Sequence, residues 1–381
     1  MNREKVVQAV DLHDDRYIEF LCRICAFEAR AYDKPVIDQM ADYISEFCEQ
    51  EGFTVTRFPF ETCGDFLTVD LNPGAEKSCL LLAHMDTVHE KGVFGDPPVS
   101  RQGDLIRAPG VNDCKGGIAV ALLMMRALRD VGFKKHVRLL LTSDEEISNI
   151  LGGEEEQRFF RDQSAGFACA LNCEVSENDQ VVVSRKGILR YRIDITGVPG
   201  HSGKHYFDCK NPIVEAAHKI LALEAKSQKS RTTFSCNVIN GGDVGNIIPK
   251  TCSFTVDIRI PDRPGMESAA QAVREITETS FLPGTSAVYT LLSSRPPMEK
   301  NDATMALFHQ MRELSLQYGL GDLIPIESGG GSDSCYTQMA GIASICGLGP
   351  CGGRCHTTEE FVIASSVAKR AKILAVFALH V

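Results

Sequence analysis

Three short motifs decide the predicted fold: LLLAHMD at residues 80–86, GVNDCKGG at 110–117 and LLLTSDEE at 139–146. The first and third motifs begin with apolar runs, which are typical of buried strands in a parallel sheet. Between Gly117 and Val131, apolar side chains recur at the spacing of one helix face. The stretch from Leu80 to Glu146 therefore predicts a β-α-β unit.

Histidine and carboxylate side chains come where these predicted strands end. They are His84, Asp86, Glu145 and Glu146, together with Asp113 in the loop that enters the helix. Open α/β sheets place their ligand sites at the carboxyl ends of the strands. Several carboxylates in one place are costly unless protons or cations neutralise them. The sequence therefore predicts a divalent metal site at this edge of the sheet.

Composition and charge limit the class of protein. The chain has 381 residues, of which 44% are hydrophobic and 24% are charged, and its formal net charge is −10. Such a length suggests about two domains. The negative charge argues against nucleic acid or an anionic membrane as a partner, because neither would attract an acidic protein.

We expect a cytoplasmic protein. The opening segment, MNREKVVQAVDLHDD, lacks the apolar core of a signal peptide, and no run reaches the roughly 18 to 20 apolar residues that span a bilayer. The fifteen cysteines are an odd number and lie mostly within apolar runs. This pattern favours reduced core thiols over a disulfide framework.

A second type of patterning follows Gln180. Apolar and polar residues alternate from Gly187 to Thr196, which is the period of a half-buried strand. Further helices are predicted at 212–226 and 266–279, and further strands at 232–239, 252–260 and 287–292. This β-α-β-β-α-β order is the split βαβ arrangement. We therefore predict an α/β protein in which an inserted α+β domain (183–293) interrupts a catalytic domain (1–182 and 294–381) with a mainly parallel sheet.

Eight motifs, in order along the chain, resemble those of the M20 metallopeptidases, especially their glutamate carboxypeptidase-like branch. They are HMD (84–86), GVNDCKGG (110–117), SDEE (143–146), CEVS (173–176), GHSG (200–203), GNIIPK (245–250), GGGSDS (329–334) and the late His356. The resemblance implies an aminopeptidase-like catalytic domain that binds two zinc ions. It also implies a ferredoxin-like inserted domain that acts as a lid or forms a homodimer.

The resemblance implies five metal ligands. Asp113 would bridge two divalent ions, His84 and Glu174 would complete one site, and Glu146 and His356 would complete the other. Imidazole and carboxylate suit Zn²⁺, and Co²⁺ or Mn²⁺ could also be accepted. Such paired ions lie roughly 3.5 to 4 Å apart and leave a position open for substrate. A cis peptide bond between Asp113 and Cys114 is also implied.

Catalytic roles are implied for Glu145, Asp86 and His201. Glu145 would be the general base that takes a proton from the bridging water, so that a metal-bound hydroxide attacks the amide carbonyl. Asp86 would orient the imidazole of His84 by accepting its other N–H. His201 would reach the active site of the other subunit and polarise the oxyanion.

Substrate-binding roles are implied for Asn246, Arg259, Gly330 and Gly331. Asn246 would lie near the oxyanion, and Arg259 would hold a substrate carboxylate through a bidentate fork. The backbone N–H groups of the glycine-rich loop could bind the same carboxylate. From the residues alone, an arginine on a strand surface and a glycine-rich loop are both common without any ligand.

The implied function is the hydrolysis of the amide bond of a C-terminal amino acid in a peptide or an N-acyl amino acid. Aminoacylase and tripeptidase activities are enzymatic alternatives, and an inactive metal-binding scaffold is a third. Glu145 and all five ligand candidates are present, which favours an enzyme. Two departures from the family pattern could reshape the substrate pocket: KHYFDCKNP after GHSG, and Arg354 with Cys355 beside His356. Cys355 could alternatively be an adventitious metal ligand.

Overall fold

The computed structural model describes residues 3–381. The chain divides into two compact units. The first contains the chain up to Ser184 together with Lys300–Glu327 and Ser332–Val381, and the second contains Arg185–Glu299 and Ser328–Gly331. The catalytic role of one unit and the lid or dimerisation role of the other stay predictions.

The helices, in chain order, are α1 (Arg3–Cys25), α2 (Lys34–Gln50), α3 (Gly116–Asp130), α4 (Gly153–Ser164), α5 (Pro212–Glu224), α6 (Arg263–Glu278), α7 (Asp302–Gln317), α8 (Ser334–Met339) and α9 (Ser365–Ala378). Within residues 3–381, no helix combines the length and the apolar character that crossing a membrane requires.

The strands, in chain order, are β1 (Thr54–Phe58), β2 (Phe66–Leu71), β3 (Lys77–His84), β4 (Ser100–Gln102), β5 (Leu105–Arg107), β6 (His136–Thr142), β7 (Cys169–Asn172), β8 (Gln180–Arg185), β9 (Gly187–Thr196), β10 (Gly200–His201), β11 (Thr233–Asn240), β12 (Ile247–Ile248), β13 (Thr251–Ile260), β14 (Ser286–Arg295), β15 (Ile324–Ser328), β16 (Ser344–Ile345), β17 (Gly352–Gly353) and β18 (Phe361–Ile363).

The main sheet of the first unit has the strand order β1-β2-β6-β3-β7-β16. Strands β6, β3, β7 and β16 pair in parallel, whereas β1 and β2 are antiparallel to their neighbours. Because β3 and β6 are adjacent and parallel, with α3 between them in the chain, the predicted β-α-β unit is confirmed. The predicted α/β class with a mainly parallel sheet is confirmed as well.

Helix α3 is buried on nearly every side. The sequence predicted one apolar face, but residues such as Ala119, Val120 and Met124 on the remaining faces are also buried. The reason is that α3 packs against α1 and α9 as well as against the sheet. A helix covered on all sides can be apolar all round.

The second unit contains an antiparallel sheet in the order β11-β13-β9-β14. Its elements follow one another as β9, α5, β11, β13, α6 and β14, which is the predicted β-α-β-β-α-β order. Asn211 caps α5 by accepting the N–H of Ile213 at 3.0 Å, and Pro212 opens the helix. Strand β14 continues to Arg295, beyond the predicted end of the inserted segment at 293, and residues 328–331 also belong to this unit.

Candidate metal centre

The carboxyl ends of three neighbouring parallel strands carry predicted site residues. His84 is the last residue of β3, Glu145 and Glu146 follow β6, and Glu174 follows β7. The strands are adjacent in the order β6-β3-β7, so these side chains share one edge of the sheet. This is the edge at which open α/β sheets bind ligands.

Asp113 lies in the tight turn Val111–Lys115 that precedes α3. The Asp113–Cys114 peptide bond is cis, as the resemblance implies. Glycine is required at Gly117, because a Cβ atom there would lie 1.9 Å from the carbonyl oxygen of Cys173. This close approach lets α3 begin directly against the segment that carries Glu174.

The two carboxylate oxygens of Asp113 face different imidazoles. Its Oδ1 lies 3.1 Å from Nε2 of His84, and its Oδ2 lies 3.3 Å from Nε2 of His356. Nε2 of His84 is also 3.5 Å from Oε1 of Glu174, and Nε2 of His356 is 3.2 Å from Oε2 of Glu146. The five predicted ligands therefore form two donor sets that share Asp113.

These separations fit the coordination of a cation. Two ligands at about 2.0 to 2.1 Å from one Zn²⁺ ion, at a tetrahedral angle, are roughly 3.3 Å apart. The four donor-to-donor distances run from 3.1 to 3.5 Å. In addition, Oε1 of Glu146 is buried and accepts no hydrogen bond from residues 3–381. A buried oxygen that accepts no hydrogen bond can bind a cation instead, which is consistent with Glu146 as a metal ligand.

Protons on the two histidines would offset the negative charge of this cluster of carboxylates. Hydrogen bonds to Asp113 and Glu146 raise the pKa of His356 to about 11. Burial disfavours the charged form of His84, but its neighbours, Asp113 and Asp86 among them, outweigh burial and raise its pKa well above the usual value. Burial likewise opposes ionisation of Asp113, and the two imidazoles overcome that effect and lower its pKa.

Glu146 responds in the opposite direction. Burial, followed by the negative charge of Asp113, raises the pKa of Glu146 well above its usual value, and the hydrogen bond to His356 opposes this only in part. The pKa of one ligand carboxylate is raised, and the pKa values of two imidazoles are raised as well. Both effects indicate that the site lacks positive charge. A divalent ion in each donor set would supply it.

Asp86 contacts three parts of the site. Its Oδ1 is 3.2 Å from Nδ1 of His84, which agrees with the role that the resemblance implies. Its carboxylate also accepts the backbone N–H of Glu145 at 3.3 Å and of Glu146 at 3.0 Å. Sequence reasoning missed these two bonds, because nothing local in the chain links Asp86 with the turn after β6.

Two cysteines flank the donor sets. Donor atoms of His84, Cys114 and Glu174 all lie within 4.8 Å of one another, so Cys114 contributes a thiol beside the first set. The sequence instead suggested Cys355 as an adventitious metal ligand. Within the described residues, Cys355 is in neither of the groups whose donor atoms converge, and burial raises the pKa of its thiol.

His201 and Asn246 are neighbours in the second unit. Strand β10 pairs with β12, which follows Asn246, and Ser202 donates its backbone N–H to the carbonyl oxygen of Asn246 at 3.0 Å. Gly203 donates its N–H to Nδ1 of His201 at 3.1 Å. This hydrogen bond assigns the proton of the neutral imidazole to Nε2, which can then act as a donor.

Arg259 is half-buried and already has a carboxylate partner. Its Nε donates to Oδ1 of Asp257 at 2.6 Å, and Nη2 of Arg190 donates to Oδ2 of the same Asp257 at 2.8 Å. Asp257 therefore lies between two arginines on the face of the sheet that is opposite the core. The sequence predicted that Arg259 lies on the polar face of its strand, but it did not predict this internal partner.

The glycine-rich loop and the segment after GHSG have their own contacts. Gly330 donates its N–H to Oγ of Ser328 at 3.2 Å, so this group is engaged within the loop. At Gly331, a Cβ atom would lie 2.8 Å from Cδ of Arg295, so a side chain there would displace that arginine. In the KHYFDCKNP segment, the side chains of Tyr206 and Phe207 are exposed and meet edge to face.

Comparisons with known proteins agree with this geometry. The model of the peptidase family M20/M25/M40 matches residues 80–380. Carboxypeptidase G2 of Pseudomonas sp. (strain RS-16) is 24% identical over 371 residues, which cover 95% of this chain and 88% of that protein. Succinyl-diaminopimelate desuccinylase of Rickettsia akari (strain Hartford) is 25% identical over 288 residues, which cover 68% of this chain and 73% of that protein.

Among solved structures, a tripeptidase from Staphylococcus aureus subsp. aureus Mu50 has the same fold. It superposes with a TM-score of 0.79 at 19% sequence identity, and the match covers 96% of this chain and 97% of that chain. Together with the family match, the histidine and carboxylate donors at the carboxyl edge of the sheet identify the class of the protein as a metallohydrolase. The family match spans most of the chain, so the chain belongs to peptidase family M20/M25/M40.

Proposed function

We propose that this protein is a two-metal hydrolase that releases a C-terminal amino acid from a peptide or an N-acyl amino acid. The observation that carries the proposal is that each oxygen of Asp113 faces a different histidine, 3.1 Å from His84 and 3.3 Å from His356. A bridging carboxylate of this kind serves two cations at once. We propose Zn²⁺ as the metal, with Co²⁺ and Mn²⁺ as alternatives, because the donors are imidazole and carboxylate.

When bound, such ions polarise a substrate carbonyl and make a bound water more acidic. The residue proposed to take that proton is Glu145, which precedes the ligand Glu146 in the turn after β6. Adjacent residues in a turn point in different directions, so one carboxylate can bind a cation while the other contacts the water. Glu145 would then pass the proton to the leaving nitrogen. The Asp86 carboxylate fixes the backbone N–H groups of both glutamates.

His201 is proposed to stabilise the oxyanion. Its Nδ1 accepts the N–H of Gly203, which leaves Nε2–H as the donor that a developing negative charge requires. Asn246 is proposed to support the same oxyanion, and the hydrogen bond between Ser202 and the Asn246 carbonyl keeps the two segments together. The resemblance further implies that His201 acts on the active site of a partner subunit.

Arg259 is proposed to bind the free carboxylate of the substrate, with the loop at Gly330 and Gly331 as a second contributor. Asp257 accepts hydrogen bonds from Nε of Arg259 at 2.6 Å and from Nη2 at 3.5 Å, so the substrate would have to use the Nη1 side of the guanidinium. A planar guanidinium held in place by one carboxylate can still bind a second one. The name of the relative carboxypeptidase G2 also supports this substrate class.

We propose a homodimer formed through the second unit. Within the part of the chain that the structure describes, β14 pairs with β9 alone, so its other edge is available for pairing. Val288 on this strand is 64% exposed and Leu291 is 49% exposed. Exposed apolar edge strands tend to pair with another chain. Sedimentation should detect a dimer that Val288→Lys converts to a monomer; a monomeric wild-type protein would contradict the proposal.

The experiment that tests the substrate class uses three forms of one dipeptide. One form has a blocked amino end and a free carboxyl end, the second has a free amino end and an amidated carboxyl end, and the third has both ends free. The Zn²⁺-loaded protein should hydrolyse the first and third forms and hydrolyse the second poorly. Hydrolysis that requires the free amino end and tolerates the amidated carboxyl end would instead identify an aminopeptidase.

A further inference from the structure

Glu360 is a fully buried carboxylate that the proposed reaction does not use. Its Oε1 accepts the backbone N–H of Asn112 at 2.8 Å and of Asp113 at 3.0 Å. Its Oε2 lies 2.8 Å from Nε2 of His89, which is also buried. One side chain therefore joins the turn that carries Asp113 to the segment after β3.

Glu360 also belongs to the segment that carries His356. Its backbone N–H donates to the carbonyl oxygen of Thr357 at 3.1 Å and closes the turn that follows His356. The Asp113 turn and the His356 turn are far apart in the chain, and both supply donors to the same proposed cation. Glu360 therefore helps to hold these two turns at a fixed distance from each other.

We propose that Glu360 is a positioning residue for the metal centre: it fixes the backbone at Asp113 so that the two carboxylate oxygens point to His84 and His356, and His89 fixes Glu360. The inference rests on the two-cation site of the proposed function. The proposed role is geometric. One oxygen of the carboxylate accepts two backbone N–H groups and the other contacts an imidazole, so the carboxylate determines the orientation of the turn.

A different role would be electrostatic. Glu360 contributes negative charge near the fully buried ammonium group of Lys115, whose Nζ donates to the carbonyl oxygen of Pro109 at 3.2 Å. If charge were the role of Glu360, any carboxylate at this position would suffice. If geometry is its role, the length of the side chain matters and its charge does not. Two substitutions separate these roles.

Glu360→Gln removes the charge and keeps the length, so its carbonyl oxygen can still accept both N–H groups while its amide faces His89. Glu360→Asp keeps the charge and withdraws the carboxylate by one C–C bond, about 1.5 Å. We expect Glu360→Gln to bind Zn²⁺ as the wild type does. We expect Glu360→Asp to bind the ion at the His356 set about 10- to 100-fold more weakly, the usual effect of losing a group that orients a ligand.

The measurement is the Zn²⁺ dissociation constant, obtained by competition with a chromophoric chelator, with the absorption spectrum of the Co²⁺-loaded protein as a second readout. Glu359→Gln is the matched control, because Glu359 is exposed and its ion pairs are with Arg107 and Arg354. This control should bind Zn²⁺ as the wild type does. Neither readout depends on the substrate or on turnover.

The outcomes distinguish this inference from the proposed function. If the wild type binds fewer than two Zn²⁺ ions, the proposed function itself fails. If the wild type binds two ions and Glu360→Asp binds them equally well, or if Glu360→Gln loses as much affinity as Glu360→Asp, only the positioning role is overturned. If Glu360→Asp does not fold, His89→Ala serves as the test: it should weaken Zn²⁺ binding, His89→Gln should restore it, and unchanged affinity in His89→Ala would overturn the role.

Discussion

The carboxylate of Asp86 accepts the backbone N–H of Glu146 at 3.0 Å, so a residue that follows β3 fixes a residue that follows β6. The same carboxylate accepts the N–H of Glu145 and lies 3.2 Å from Nδ1 of His84. One acid therefore orients a proposed ligand from the first donor set, a proposed ligand from the second set and the proposed base. The order of the strands makes this possible, because β3 and β6 are neighbours.

Asp86→Asn should disturb all three groups. An amide offers one acceptor oxygen, and its NH₂ group would face a backbone N–H or the imidazole of His84. We expect Zn²⁺ affinity to fall about 10- to 100-fold, and kcat to fall with it. Chelator competition measures the affinity. An Asp86→Asn protein that retains wild-type affinity and wild-type kcat would show that the acid orients neither the ligands nor the base.

Glu145→Gln should separate metal binding from catalysis. The amide preserves the size of the side chain and cannot take a proton from water. We expect two bound Zn²⁺ ions per chain and a rate lower by a factor of about 10² to 10⁴. Metal analysis and steady-state kinetics on one preparation test both statements, and near-normal turnover would transfer the role of base to another group.

Metal binding should release protons, because hydrogen bonds to Asp113 and Glu146 raise the pKa of His356 to about 11. A raised pKa means that the imidazole is protonated at neutral pH, whereas only the neutral imidazole binds a cation. Zn²⁺ affinity should therefore increase from about pH 6 to about pH 8, roughly tenfold per pH unit for each proton released. Calorimetry in buffers of different ionisation enthalpy counts the protons.

The matched variant for this measurement is His356→Ala. It removes one protonated ligand, so the number of protons released should fall by about one. A wild-type protein that binds Zn²⁺ without any proton release, or with an affinity independent of pH, would contradict the prediction that His356 is protonated before Zn²⁺ binds.

Arg259→Ala should lower kcat/KM for substrates with a free carboxyl end. The loss of transition-state stabilisation should be about 2 to 5 kcal/mol, because a buried charge on the substrate would lose its partner. Arg259→Lys should also lower it sharply, since lysine lacks the planar fork. Metal content should not change. Amidated substrates should lose little further activity in Arg259→Ala, and an equal loss for both kinds of substrate would assign the arginine a structural role.

Asp257→Asn provides the control for the internal partner of Arg259. Asp257 bonds to both Arg259 and Arg190, so the amide variant should loosen Arg259 without removing its charge. Its kcat/KM should lie between those of the wild type and Arg259→Ala. An Asp257→Asn protein as impaired as Arg259→Ala would mean that the position of the guanidinium matters as much as its charge.

The sequence predicts the site well where local signals suffice. Apolar runs that end in HMD and SDEE identify β3 and β6, and the convergence of His84 with Glu146 follows from the rule for parallel sheets. In the second unit, the alternation of apolar and polar residues predicts the strands, and helical patterns between them complete the order of elements. These features depend on periodicities of a few residues, which a single sequence displays.

The contacts of Glu360 could not be predicted in this way. Glu360 meets the backbone of Asn112 and Asp113 across 248 and 247 residues of chain, so no motif contains both partners. The Asp257 partner of Arg259 is nearer in sequence, but a paired and an unpaired arginine give the same alternating pattern. Tertiary packing determines the contacts of Glu360 and the pairing of Arg259 with Asp257. The resemblance to a family implies which residues are ligands, but it does not identify all the groups that orient them.

Anomalous diffraction at the zinc edge, from crystals of the Zn²⁺-loaded protein, tests the two-cation site most directly. We expect two peaks roughly 3.5 to 4 Å apart, on either side of the Asp113 carboxylate. One peak should contact His84 and Glu174, and the other should contact Glu146 and His356. A single peak, or two peaks of which only one contacts Asp113, would contradict the two-cation site.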